Sequence, residues 1–293
     1  MAGEISAKLA HLHAPITSLD FSEEEIRRYS RHIVLPEVGG TGQKRINRAS
    51  VLVVGAGGLG SPVALYLAAA GVGKIGIVDN DVVDTSNLQR QILHSTATVG
   101  KKKVESARDT LLALNPNLEV TPHDVRLNSG NILQILKGYD VVAEGSDNFP
   151  TKFLVNDACV MTGTPVSMAG IFRFSGQLLT VIPRHGPCYR CLIPQPPPPG
   201  AIPSCQEAGV FGAMAGVVGV IQATEILKLI LGKGEVLNGR LLLFEALQMR
   251  FEPIELKRNP ECPVCSETPS ITELVDYELA CEVQQSAASP SSR

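Results

Sequence analysis

The chain has no tryptophan, and only 4% of its 293 residues are aromatic, so the core it can build from its 44% hydrophobic residues must be mainly aliphatic. It also lacks a strong charge of either sign: 26 Lys and Arg against 29 Asp and Glu leave a net charge of −3. That balance argues against a broad nucleic-acid surface or an anionic-membrane surface. No uninterrupted apolar run reaches the roughly 18 residues that would suggest a membrane span. The longest, residues 208–221, is rich in glycine and followed by Gln222, Glu225 and Lys228, and reads as a buried helix. The N-terminus has no apolar signal core, since Leu9 to Ile16 is interrupted by two histidines and a proline. Seven cysteines in a chain without a secretory signal point to a reducing, cytoplasmic setting, where paired cysteines more often bind metal than form disulfides.

Against these absences stands a dense motif. Val51-Leu52-Val53-Val54 is a short β-branched run suited to a buried parallel strand, followed directly by Gly55-Ala56-Gly57-Gly58-Leu59-Gly60. Ser61 and Pro62 then open an Ala/Leu-rich helix as N-cap and first-turn residues. Gly55 permits a tight turn, Gly57 a close approach to phosphate, and Gly60 close packing of helix on strand. The helix N-terminus presents its amides to an anion. A second strand, 74–78, ends in Asp79, where a carboxylate can accept hydrogen bonds from a ribose. This is a nucleotide site.

Along the chain, residues 1–20 read as a disordered N-terminus, and Ser22 with Glu25 opens a helix running toward Pro36. Gly39, Gly40 and Gly42 suggest a loose turn before a short helix at 43–48. After the polar stretch 80–91, the pattern predicts a helix over 101–114, a strand near 119–126, a helix near 131–137 and a buried strand at 140–143. This β-α-β-α-β-α-β order means a Rossmann-like, doubly wound, mostly parallel sheet. The second half continues as antiparallel strands over 164–183 and 240–255, with a helix over 210–231 between them. The Pro-rich segment 194–203 cannot be helical. We expect one domain at 21–267, with a nucleotide-binding half at 49–150 and a second half at 151–267. A tail follows at 268–293.

Cys188-x-x-Cys191 and Cys262-x-x-Cys265 can together supply four thiolates to one tetrahedral Zn²⁺, leaving no open position, so that such a metal is structural. The plainer alternative is two unrelated buried or redox pairs. Arg90 and Lys103 add more positive charge near Asp79 than a dinucleotide usually requires. Asp147 follows the last parallel strand at the edge where ligands sit, and suits Mg²⁺. Each has an ordinary alternative: Arg90 as a loop ion pair, Lys103 as a solvated first-turn residue, Asp147 as the cap of the next helix. Taken together they suit a triphosphate. A nicotinamide-dependent dehydrogenase and a non-catalytic, nucleotide-responsive adaptor are the competing readings.

Arg27 to Arg31, Gly55–Gly60, Asp79-x-Asp81, Ser86 to Gln91, Lys103 to Glu105 and Ser146-Asp147-Asn148 resemble, in order and spacing, the MoeB/ThiF family, relatives of the ubiquitin-activating enzymes. So do the segments holding Cys188 and Cys191, Cys205 to Gly209, and Cys262 and Cys265. The resemblance covers about residues 20 to 280. It implies a homodimeric adenylyltransferase that activates the C-terminal Gly-Gly carboxylate of a ubiquitin-like sulfur carrier for molybdopterin, thiamine or tRNA thiolation pathways. It further implies that Gly55, Gly57, Gly58, Gly60, Asp79, Asp81, Asn87, Arg90, Gln91 and Lys103 hold ATP, that Asp147 holds Mg²⁺ and that the paired cysteines hold Zn²⁺. Arg31 matches the family's arginine that enters the neighbouring subunit's site. Cys205 is the candidate for covalent capture of the activated carrier, with a spectator thiol as the alternative. Residues 271–277 resemble the linker that leads to a rhodanese domain in some relatives, and this chain carries no such domain after them. That implies a separate sulfur donor, such as a cysteine desulfurase or rhodanese.

Overall fold

The computed structural model describes residues 7–198 and 208–277. An eight-stranded sheet organises them, in the order β3-β2-β1-β4-β5-β6-β7-β8. In chain order the elements begin with α1 (Glu23–Ile33), α2 (Gly39–Arg48), β1 (Ser50–Val54), α3 (Gly60–Ala70) and β2 (Lys74–Val78). There follow α4 (Lys103–Leu114), β3 (Glu119–His123), α5 (Ile132–Leu136), β4 (Val141–Glu144) and α6 (Phe149–Thr162). The rest is β5 (Val166–Phe172), β6 (Ser175–Val181), α7 (Tyr189–Leu192), α8 (Gly212–Leu231), β7 (Arg240–Glu245) and β8 (Arg250–Glu255). β1 to β5 pair in parallel, and β5 to β8 pair antiparallel. The expected fold class is the observed one.

Each central parallel strand is buried on both faces, which explains its unbroken apolar run. Val51 and Val53 join one core with α3, α4 and α8, while Leu52 and Val54 join the other with α6. α8 is long and apolar enough to cross a membrane by composition, yet Met214, Val218, Ile226 and Ile230 are buried within the protein. Its buried Glu225 accepts hydrogen bonds from Thr180 Oγ1 (2.7 Å) and the Leu237 amide (2.6 Å).

Several boundaries differ from expectation for identifiable reasons. Residues 7–13, expected to be disordered, form a 3₁₀ helix that buries Leu9 and Leu12 in the first core. Gly39, Gly40 and Gly42 lie inside α2 rather than in a turn; a Cβ at Gly42 would sit 2.9 Å from Leu231, so the glycine lets α2 approach the end of α8. α4 starts at Lys103 because Val82 and Lys102 form an antiparallel bridge that keeps the preceding residues extended. α8 starts at Gly212 because Val210 is bridged to Arg173. Cys205 and residues 199–203 of the Pro-rich segment lie outside the described residues.

Candidate active site and four-thiol centre

The order of the parallel strands reverses between β1 and β4, and a ligand crevice forms beyond their carboxyl ends at such a point. The glycine loop after β1 and the turn after β4 meet there. Gly55 has φ +92°, and a Cβ on it would lie 3.2 Å from the Gly145 carbonyl oxygen. A Cβ on Gly60 would lie 1.7 Å from the Gly55 carbonyl oxygen, so any side chain there would break the loop-to-helix turn. This tight turn corrects the helix start: α3 begins at Gly60, and Ser61 and Pro62 fall in its first turn rather than at the cap and first position. Pro62 is tolerated there because the first four amides of a helix have no intrahelical acceptor.

Asp79 secures the loop with both carboxylate oxygens. Oδ2 accepts from the Ala56 amide and Oδ1 from the Asp81 amide, each at 2.9 Å. Each oxygen keeps a lone pair that a hydroxyl could use. Lys103 is buried, not solvated, and its Nζ bonds Asp81 Oδ2 at 2.9 Å. Asn87 Oδ1 accepts the Asp84 amide at 3.2 Å in a reciprocal cap, which orders the turn that leads to Arg90. Arg90 donates to the Ser86 carbonyl at 3.2 Å, and its stem passes 3.4 Å from the Cβ position of Gly58. Buried Gln91 lies beside Gly57, with its Oε1 unpartnered.

Asp147 sits three residues beyond the end of β4, in the turn before α6. It does not cap that helix: Asn148 does, its Oδ1 accepting the Thr151 amide at 2.9 Å. Among the described residues the exposed Asp147 carboxylate has no hydrogen bond or ion pair. Arg31 stands exposed on the last turn of α1, likewise unpaired among the described residues. Arg27 and Arg28, in contrast, pair with Glu23 and Glu24 one turn earlier.

Residue patterns alone do not reveal His94. Its Nε2 donates to the Ala56 carbonyl and its Nδ1 accepts from Ser106 Oγ, both at 2.9 Å, so the neutral ring braces the glycine loop. Burial pushes its pKa below the usual histidine value.

On the α6 side of the sheet, Cys188, Cys191, Cys262 and Cys265 converge, with all four Sγ atoms within 4.8 Å of one another. Cys188 and Cys262 are 3.6 Å apart, and Cys191 and Cys265 3.4 Å. Tetrahedral Zn–S bonds of about 2.3 Å require sulfur separations of about 3.8 Å, so the thiols fit that ion. Hydrogen bonds among the four thiols favour the thiolate at Cys191 and Cys262 and the thiol at Cys188 and Cys265. The Asn259 amide also points at Cys191 Sγ at 3.4 Å. Arg190, inside the first pair, is 1% exposed. It grips both Asp157 oxygens at 2.8 and 2.7 Å and donates to the Pro194 carbonyl (2.9 Å) and Tyr277 Oη (2.6 Å). Its place in the motif was visible in the sequence; its partners, far along the chain, were not.

Fold and site together define a doubly wound nucleotide-binding α/β protein with an antiparallel extension and a four-thiol centre. The ThiF family model matches residues 29–264, and the chain belongs to that family. It is 53% identical to the sulfur carrier protein adenylyltransferase of Thermus thermophilus over 89% of this chain and 98% of that protein. It is 50% identical to the probable adenylyltransferase/sulfurtransferase MoeZ of Mycobacterium tuberculosis over 95% of this chain and 70% of that one. The crystal structure of E. coli MccB with MccA-N7isoASN superposes with TM-score 0.72 at 24% identity, over 86% of this chain and 77% of that chain, which is a likeness of fold.

Proposed function

We propose that this protein adenylates the C-terminal Gly-Gly carboxylate of a ubiquitin-like sulfur carrier at the expense of ATP, releasing pyrophosphate. The observation that carries this reading is the pairing of a buried Lys103 and a free Asp147 carboxylate around the glycine loop, in a chain so close to a named sulfur carrier protein adenylyltransferase. A dinucleotide would leave the Asp147 carboxylate without a task.

The α3 N-terminus with Gly57 and Gly58 would cradle phosphate, and Asp79 would receive the ribose hydroxyls. Asn87, Arg90 and Lys103 would surround the anionic oxygens, and Gln91 would present its amide beside Gly57. A carrier carboxylate oxygen bonds the α-phosphorus as the bond to the pyrophosphate oxygen breaks, so both reactants are anions that must be brought together. Asp147 would hold Mg²⁺, which when bound neutralises charge on the phosphates. In a homodimer, Arg31 of one subunit would reach the neighbour's crevice. Cys205 would accept the activated carrier as a thioester, expelling AMP. The four cysteines would hold Zn²⁺ as a closed structural site, which calls for the reducing cytoplasm. We assign the product to sulfur transfer in molybdopterin, thiamine or tRNA thiolation.

The test is ATP–pyrophosphate exchange with candidate Gly-Gly carriers. Carrier-dependent exchange that falls by about 10²–10³ in a folded Asp147→Asn variant is expected, the scale typical of losing one electrostatic stabiliser. Nicotinamide binding without exchange would instead restore the dehydrogenase reading.

A further inference from the structure

Behind Asp147 lies a buried ion pair that the roles above leave unused. Glu144, the last residue of β4, is fully buried, and its Oε2 meets the ammonium of Lys152 on α6, itself 8% exposed. Glu144 Oε1 accepts the Ser146 amide at 2.8 Å and also the Ser146 hydroxyl. The Glu144 carbonyl accepts Gln222 Nε2 of α8 at 2.9 Å. Lys152 also donates to the Ala169 carbonyl of β5 at 2.6 Å, and the Gly145 amide ties the turn to Val54 of β1 at 3.0 Å. Two strands and two helices therefore converge on residues 144–146, immediately before Asp147.

Burying such a pair rarely stabilises a fold more than apolar residues of the same size would. Its position suggests another reason for its presence. A carboxylate that binds a cation through one or two oxygens needs a fixed backbone and supporting partners. Here every residue from 144 to 146 is held from at least one side, and Asn148 is held by its cap, while Asp147 alone is left exposed. We infer that Lys152 is a positioning residue: by locking Glu144 and, through it, the Ser146 turn, it aims Asp147 at the metal–phosphate position. This inference rests on the adenylation reading.

The experiment measures equilibrium binding of ATP with Mg²⁺ and with EDTA, so that the metal-dependent gain in affinity is read without turnover. In Lys152→Met that gain should shrink by about 10–100-fold, the usual cost of removing a group that supports a metal ligand, while affinity in EDTA stays unchanged. Because Lys152→Met strands a buried carboxylate, Glu144→Gln/Lys152→Met is measured beside it; it removes both charges and should show the same loss of gain with better recovered thermal stability. Added to Asp147→Asn, Lys152→Met should cause no further loss, since both act through one carboxylate. An undiminished gain in the charge-free double variant overturns the inference. So does a loss that appears equally in EDTA or adds to that of Asp147→Asn. If Asp147→Asn itself keeps the full gain while the wild type shows it, the metal role of Asp147 fails, and the positioning role falls with it.

Discussion

The turn after β4 leaves Asp147 exposed and unpaired among the described residues, whereas Arg190, packed against α6, is 1% exposed and has a partner on each side. The nucleotide half is held by backbone geometry and buried braces, including the Gly60 approach, the Asp79 and His94 contacts to Ala56 and the Glu144 link to Ser146. Asp147 is left unpaired among the described residues. In the thiol half the functional side chains themselves tie remote segments together. A site that must bind and release keeps spare valences, while one that only joins segments spends all of them.

That contrast can be broken in graded ways. The largest effect is expected at Arg31: Arg31→Ala should lower the adenylation rate by about 10³–10⁵, as for arginines that stabilise phosphoryl-transfer transition states, with unchanged melting temperature. Mixing Arg31→Ala with Asp147→Ala subunits should restore about a quarter of wild-type activity if one site draws on both chains of a dimer. No recovery after verified subunit exchange would place Arg31 in its own subunit's site. In the thiol half the effect should fall on stability. Arg190→Met should cost about 3–5 kcal/mol by stranding buried Asp157, and Asp157→Leu in the same chain should return most of it. Chemical denaturation measures both. Cys188→Ser should remove about one zinc per chain and lower the melting temperature by several degrees, since bound metal contributes directly to folding. A wild-type preparation with no zinc by mass spectrometry and four freely titrating thiols would contradict it. The smallest effect is expected at the capping box of α1, where Ser22→Ala should cost about 1 kcal/mol while leaving ATP affinity untouched.

The glycine loop, its strand and the order of the parallel elements could be read in the sequence because each is written in contiguous residues. The same holds for the capping box formed by Ser22 and Glu25, which appears as expected. Two cysteine pairs could be noticed, but nothing local brings Cys188 within 3.6 Å of Cys262 across 74 residues; that needs the fold. The same limit hid His94, Lys152 and Arg190, whose partners lie on other elements. Helix starts shifted where a tertiary contact outweighed local preference, as when Gly42 made room for Leu231 against α2 and the bridge to Val82 delayed α4. Residues 7–13 look featureless alone, yet Leu9 and Leu12 are buried in a core built from later elements.

The contacts at Tyr277 also have a mechanical side. Tyr277 Oη is bonded to Arg190, its ring lies 6.0 Å from Phe153, and the neighbouring Asp276 holds the Ser129 amide and hydroxyl at 2.7 Å each. Tension applied to the chain just beyond Tyr277 would meet these fastenings first, loading them in shear against α6 and the α5 approach. The force would pass through Arg190 into Asp157 of α6 and into the segment that holds Cys188 and Cys191. In an optical-tweezer pull from that point, the strap should peel away in a small early step before the sheet yields.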